Sequence, residues 1–482
     1  MRILENCEPE RVFYYFEEIA SIPHGSRNTK AISDYLVSFA NAHGLSCIQD
    51  ALHNVIIFKN ASAGYENAEP VIIQGHMDMV CEKEADCPID FEKEGLSLYV
   101  DGDFVKARGT TLGGDDGIAV AYALAILEAD NIPHPPLEAV ITVDEEIGML
   151  GAYEIDLSML KGRKMLNVDS DLEGHFLTSC AGGMSLNETL PISRQKADGT
   201  LCRLCVTGLL GGHSGGEIHK ERANANILMG RILDALSKAM DIQLQSLAGG
   251  LKDNAIPREC TAEFVICKTE AEHLKNEINQ LQTLLSREYE QSDPELSITV
   301  EIMEETTIQA LTPDSLNKVI SYLRLVPNGV QNYSMVIPGL VETSLNLGIM
   351  ELKEQNLTMT TSIRSSVSTR KTEMKDRVCT LLALLGGSAV TEGDYPAWEY
   401  RKDSVVREEI ASVYRSLFGK EPVIEAIHAG LECGLFAEKI KDLDCVSFGP
   451  DNYDIHTPKE RLSISSTERV WKLILAFLER SK

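Results

Sequence analysis

No apolar run in this sequence approaches the roughly 20 residues needed to span a bilayer, although 44% of its 482 residues are hydrophobic. A membrane partner is not expected. The twelve cysteines are scattered, without CxxC pairs or the dense spacing of a disulfide scaffold, so reduced thiols are the simpler reading. The first residues, MRILENCEPERVFYYFEE, are too acidic and too short of an apolar core for a secretory signal, and a cytoplasmic location is expected. Positive charge is scarce: 45 Lys and Arg stand against 73 Asp and Glu, a formal net charge of -28. That balance argues against nucleic acid or anionic lipid as partners and serves solubility. No low-complexity linker or strong short-period repeat is visible. The length asks for two or three domains, because a single core seldom grows so large.

What is present falls into three stretches. Over residues 1–186, helical and strand patterns alternate. PERVFYYFEEIASI and NTKAISDYLVSFANAHG read as amphipathic helices, the second closed by Gly44. NVIIF, PVIIQG, LEAVITVD and KMLNVD read as strands, and DGIAVAYALAILEAD as a mostly apolar helix. Such alternation predicts an α/β catalytic domain with a mixed, mostly parallel sheet. Over residues 187–390 the pattern changes to amphipathic strands (CRLCVTG, AEFVICK, LSITVEIM) flanking long helices, an inserted α+β domain. Over residues 391–482 the α/β character returns, so the outer stretches should form one discontinuous domain. The insertion is long enough for two α+β units, from CRLCVTG to LSITVEIM and from LNKVISYLRLV to about Ser388.

Acidic residues and histidines stand where the hydrophobic runs end. PVIIQG leads into His76-Met77-Asp78, LEAVITVD into Glu145-Glu146, KMLNVD ends at Asp169, and CVSFGP precedes His456. Between them lies Gly113-Gly114-Asp115-Asp116-Gly117. In open parallel sheets ligands collect at the carboxyl ends of strands. Each motif alone has a plainer reading: GGDDG a tight turn with Asp116 as helix cap, EE a solvated helix start, Asp169 the end of a strand. Together they are hard to explain as structure, because carboxylates gathered around one crevice repel one another without a cation. A two-metal hydrolase needs a bridging anionic ligand, terminal ligands on each ion, and a carboxylate to take a proton from water. His76, Asp115, Glu146, Asp169 and His456 are ligand types that zinc accepts. Glu145 adjoins one of them and could serve as base. Asp78 could accept the second imidazole N–H of His76.

The segments QGHMDMV, TTLGGDDGIAVA, TVDEEIGMLGA, LNVDSD and GPDNYDIHTP resemble the dizinc aminopeptidase and carboxypeptidase clan that includes the aminoacylases. GGHSGGEIHKERANAN, DNAIPRE and HAGLECGLF bring the chain closer to the aminoacyl-histidine dipeptidase branch of that clan. The resemblance runs over essentially the whole length. It implies two divalent ions, zinc first and manganese or cobalt next, with Asp115 bridging, His76 and Asp169 on one ion, and Glu146 and His456 on the other. It implies Glu145 as general base, Asp78 behind His76, His213 of the inserted lid as oxyanion stabiliser, and Asn254 and Arg364 as grips on substrate. Asp116 stands where Asn is expected in close relatives. The activity implied is metal-dependent hydrolysis of unblocked dipeptides, Xaa-His among them. Deacylation of N-acyl amino acids is the alternative within the clan. Small peptides are then the partners, and a homodimer is compatible, C2 pairing being the commonest oligomer.

Overall fold

The computed structural model describes residues 2–482. The chain packs as two compact units, one running through Cys180 and resuming over Tyr400–Ala426 and Leu431–Lys482, the other formed by Ala181–Glu399 with Ile427–Gly430.

The first unit is an α/β structure on an eight-stranded mixed sheet. Its order is Ser46–Gln49, Val55–Lys59, Leu137–Thr142, Val71–His76, Lys164–Asn167, Asp444–Ser447, His175–Cys180 and Val423–Ile427. The four middle strands, from Leu137–Thr142 to Asp444–Ser447, are parallel to one another. Val55–Lys59 and His175–Cys180 run antiparallel to them on the two flanks. Nearly every residue of the middle strands is buried. That is the pattern of parallel strands covered on both faces, and it explains why they read as apolar runs without alternation.

The helix Gly114–Glu128 lies on the strand Val71–His76 and against the helix Glu10–Ala20. It carries no polar stripe, and every residue from Gly117 to Leu127 is buried, as expected of a helix enclosed on all sides. Its Tyr122 hydroxyl donates to the Thr467 carbonyl at 2.8 Å, and the ring stacks on Trp471 of the helix Ile464–Arg480. The helices expected near the N-terminus are found at Glu10–Ala20 and Lys30–Ala42, with Gly44 at φ 66° just after the second. A small four-stranded antiparallel sheet is ordered Asn452–Tyr453, Arg461–Ser463, Phe104–Ala107, Leu98–Asp101, and the loop between its first two strands carries His456.

The second unit is α+β. Eight strands of its sheet run in the order Ser297–Leu311, Arg194–Thr207, Cys260–Ile266, Gln243–Gly249, Val341–Leu352, Asn356–Ser365, Gly182–Pro191, Ser388–Tyr395. The first four and the last four make two halves, whose strands pair through Ala248↔Glu351 and Gly249↔Met350. The helices Ala225–Ala239 and Ala271–Glu288 pack on the first half; Ser368–Leu385 packs on the second, and Pro313–Leu325 bridges from Ala225–Ala239 to it. Asn224 caps Ala225–Ala239 by accepting from the N–H groups of Asn226 and Ile227. All twelve cysteines are free thiols, and no described helix is long and apolar enough to cross a membrane.

Candidate metal centre

The four parallel strands end along one edge of their sheet. His76 is level with Thr142, Gln74 with Asn167, and Asn167 with Ser447. Asp78, Glu145, Glu146 and Asp169 follow directly after these ends. Asp115 enters from the turn before the apolar helix, and His456 from its hairpin loop. The turn requires glycine twice. Gly113 has φ 68°, and a Cβ on it would come within 2.9 Å of Met79 Sδ; a Cβ on Gly114 would come within 2.8 Å of Asn452 Nδ2.

Asp115 is the hub. Its Oδ1 lies 3.2 Å from His76 Nε2 and its Oδ2 3.1 Å from His456 Nε2. His456 Nε2 is also 3.0 Å from Glu146 Oε1, and His76 Nε2 is 3.9 Å from Asp169 Oδ1. Ligating atoms of His76, Asp115 and Glu146 fall within 4.8 Å of one another, as do those of His76, Asp116 and Asp169. With zinc–donor bonds of about 2.0–2.2 Å, neighbouring donors of a tetrahedral ion stand about 3.3 Å apart. The contacts of 3.0–3.2 Å around Asp115 have that spacing.

The electrostatics suit a site that binds positive charge. Burial and the neighbouring Asp116 push the Asp169 carboxyl well above the usual range. Burial, reinforced by Glu432, Glu146 and Asp115, raises Glu145 to about 8. Burial alone would raise Asp115 too, but hydrogen bonds from His456 and His76 hold it low. His456 is lifted to about 10 by its bonds to Asp115 and Glu146. In this donor set the imidazoles of His76 and His456, both raised by the carboxylates beside them, carry the positive charge that faces the acids. The residues present have the chemistry and spacing to hold divalent metal.

Asp78 ties the strand ends together. Its carboxylate accepts the Glu145 N–H at 3.0 Å, the Glu146 N–H at 3.4 Å and the Ser26 hydroxyl at 2.8 Å. His76 Nδ1 lies 3.0 Å from the Asp78 main-chain carbonyl and 3.5 Å from its Oδ1. One residue thus supplies both acceptors for that nitrogen and leaves Nε2 turned to the carboxylates. Asp116 does not cap the helix; its buried Oδ2 accepts the main-chain N–H of His76 at 3.1 Å.

Sequence reasoning missed most of a buried polar chain next to these side chains; its members all fall in segments quoted above, Glu432 among them in HAGLECGLF. The Asn167 amide donates to Gln74 Oε1 at 2.5 Å, the Gln74 amide donates to Glu432 Oε2 at 2.5 Å, and the Thr142 hydroxyl donates to the same oxygen at 2.7 Å. Glu432 is fully buried, at the start of the helix Glu432–Lys439. The signal was present as polar interruptions in apolar runs: Gln74 in VIIQGH, Thr142 in AVITVD, Asn167 in MLNVD.

His213, Asn254 and Arg364 belong to the second unit. His213 pairs with Ala255 in a two-residue ladder, which places it beside Asn254. The N–H groups of Gly215 and Gly216 donate to His213 Nδ1 at 3.2 and 3.1 Å, which leaves the ring proton on Nε2. Partial burial and nearby Arg364 lower the His213 pKa, so the ring is neutral near neutral pH. Arg364 donates to the Tyr395 hydroxyl at 2.9 Å. His428, which opens the segment HAGLECGLF and had no role assigned from sequence, is buried with Nε2 at 2.7 Å from the Ser344 hydroxyl.

A parallel sheet presenting histidines and carboxylates at its strand ends defines a metallohydrolase, and the chain is a member of peptidase family M20/M25/M40, whose model matches residues 72–480. Among characterised proteins it is 37% identical over 481 residues to the cytosol non-specific dipeptidase of Escherichia coli strain K12, covering 99% of both chains. Its fold superposes on the crystal structure of aminoacylhistidine dipeptidase from Vibrio alginolyticus with a TM-score of 0.93 at 36% identity, over 99% of this chain and 97% of that one. A tripeptidase from Staphylococcus aureus shares the fold, with a TM-score of 0.60 at 16% identity over 98% and 99% of the chains. The chain is therefore a peptide hydrolase.

The raised groups set a pH dependence. A folded-state pKa above the ordinary value stabilises below that ordinary value and loses the contribution as pH rises through the folded one. His456 (6.5 to about 10) and Glu145 (4.5 to about 8) both act in this sense. The lowered Asp78 acts only under acid conditions. Metal-stripped protein should lose thermal stability from about pH 4.5, where Glu145 begins to contribute, to about pH 10, where His456 finishes, and saturating zinc should remove most of that slope. Scanning calorimetry of both forms checks this; a flat or rising profile for the stripped protein contradicts it.

Proposed function

We propose that this chain is a metal-dependent dipeptidase that works on unblocked dipeptides, Xaa-His among them, with two divalent ions held by His76, Asp115, Glu146, Asp169 and His456. The observation that carries the reading is the division of Asp115 between two imidazoles, one oxygen to each. The names of the Escherichia coli and Vibrio relatives support the substrate class and, for the former, a cytosolic place of work. Zinc suits these imidazole and carboxylate donors, and manganese or cobalt are the next candidates. When bound, the two ions supply Lewis acidity at the scissile carbonyl and a water acidic enough to act as nucleophile near neutral pH.

The protein's own groups do the rest. Glu145 sits beside the proposed ligand Glu146, and its raised pKa of about 8 suits a carboxylate that moves protons near neutral pH. It takes the proton of the attacking water and returns it to the leaving amine. His213, neutral with its proton on Nε2, is suited to donate to the developing oxyanion. Arg364 and Asn254 hold the substrate, Arg364 as a fork on the C-terminal carboxylate. Asp78 keeps His76 in the tautomer that ligates and fixes the Glu145-Glu146 turn by its main-chain amides. A substrate held at both ends is restricted in length.

Glu145→Gln is expected to retain two metals per chain and to lose turnover by about 10²-fold or more, whereas Asp115→Ala should lose metal. Metal analysis beside steady-state kinetics decides; near-normal activity of a fully loaded Glu145→Gln enzyme would reject the base assignment. His213→Ala should keep its metals and lower kcat by roughly 10²–10³-fold, the cost of a lost oxyanion donor. A change confined to KM would count against that role. In a substrate panel, free dipeptides should be cleaved well and tripeptides and N-acetylated dipeptides poorly. Efficient hydrolysis of N-acetyl amino acids with dipeptides inert would make the enzyme an N-acyl amino acid deacylase.

A further inference from the structure

The hairpin loop that presents His456 also presents Glu460, a residue only 3% exposed. Four consecutive main-chain amides converge on its carboxylate. Oε2 accepts the N–H of Leu112 at 2.7 Å and of Gly113 at 3.1 Å. Oε1 accepts the N–H of Gly114 at 2.8 Å and of Asp115 at 3.4 Å, and the Asn452 side-chain amide adds a bond at 3.2 Å. These are the amides of the turn that ends in Asp115. Glu460 reaches it from the other side of the sequence, four residues after His456. Gly114 is part of the same arrangement, since a Cβ there would stand 3.1 Å from Glu460 Oε1.

The chemistry of the contact is specific. A run of successive N–H groups forms a concave site for an anion, and here the chain fills it with its own carboxylate. Aspartate would fall short by one methylene. Glutamine would place an NH₂ group against two N–H donors, leaving buried donors without an acceptor, which is costly. The bonds therefore fix one loop on the other rather than merely burying a polar group. His456 and Asp115 are the residues these two loops deliver, and their side chains meet at 3.1 Å.

We propose that Glu460 is a positioning residue that locks the Asp115 turn to the His456 loop and thereby sets the spacing at which the two side chains share a divalent ion. The inference rests on the proposed ligand roles of Asp115 and His456. It concerns metal affinity and coordination geometry before it concerns turnover. Partners that orient metal ligands typically contribute about 10–100-fold in metal affinity.

The test uses the full chain, stripped of metal and titrated with Co²⁺, whose visible absorption reads coordination geometry. Glu460→Gln, folded by circular dichroism, should bind at least one cobalt ion about 10–100-fold more weakly and show an altered visible spectrum. Wild-type affinity for both ions with an unchanged spectrum would overturn the proposal. Should Glu460→Gln fail to fold, Glu460→Asp is read by the same two measurements and the same criteria. Glu188→Gln removes another buried carboxylate, in the second unit; cobalt binding weakened there as much as in Glu460→Gln would mean a general loss of stability and would also overturn it. Asp115→Ala separates the two levels of inference. If it keeps both ions at wild-type affinity, the assignment of the centre itself fails. If it loses metal while Glu460→Gln binds normally, only the role of Glu460 fails.

Discussion

Charge repulsion among buried carboxylates is the constraint on which the rest of this structure depends. Asp115, Glu145, Glu146 and Asp169 are drawn into one crevice, where the imidazoles of His76 and His456 pair with Asp115, Asp169 and Glu146. Two like charges about 4 Å apart cost roughly 4 kcal/mol at an effective dielectric constant near 20. A fold that accumulates several such pairs must hold them by force or neutralise them. The protein does both. Protonation is favoured on Glu145 and Asp169, and the donor spacing around Asp115 suits a divalent cation.

The holding is done by backbone and by buried polar bonds rather than by the ligands themselves. Four parallel strands in register bring the ends at His76, Thr142, Asn167 and Ser447 to one edge. Beneath that edge, Gln74, Thr142, Asn167 and Glu432 bond across three strands and one helix. Above it, Asp78 grips the Glu145-Glu146 turn, and Asp116 grips the main chain at His76. Each of these carboxylates or amides spends its bonds on main chain or on another fixing group. Most of the candidate donor atoms are thus held in place by the protein's own bonds, the kind of preorganisation that a metal site needs. In the second unit the same economy is seen at His213, whose tautomer is set by two glycine amides and leaves a donor nitrogen free.

Much of this was legible in the amino-acid order. The apolar runs VIIQGH, LEAVIT and MLNVD read as strands and the mostly apolar stretch after GGDDG as a helix, and that is how they fold. A residue next to the end of such a run lies at the edge of the sheet whatever the strand order, so the candidates His76, Asp78, Glu145, Glu146 and Asp169 followed from local pattern. Asp115 and His456 were candidates by residue type as well, but their assignment to particular ions needed the family resemblance, because a turn and a hairpin loop carry no periodicity that fixes where they point.

Local sequence therefore determined the strands, the enclosed helix and the chemical types available at the strand ends, because burial periodicity and side-chain chemistry are properties of short segments. Tertiary structure alone decided which of those groups meet. The strand order places Val71–His76 between Leu137–Thr142 and Lys164–Asn167, elements some sixty to ninety residues away in the chain. The hairpin at 454–460 comes to lie on the turn at 112–115 through a carboxylate that reads in HTPKERL as an ordinary solvated glutamate. Asp116 is similarly a plausible helix cap in sequence and a support for His76 in the fold. Hydrogen bonds between segments hundreds of residues apart leave no periodic trace in either segment, and only the folded chain reveals that a buried acid has found four amides.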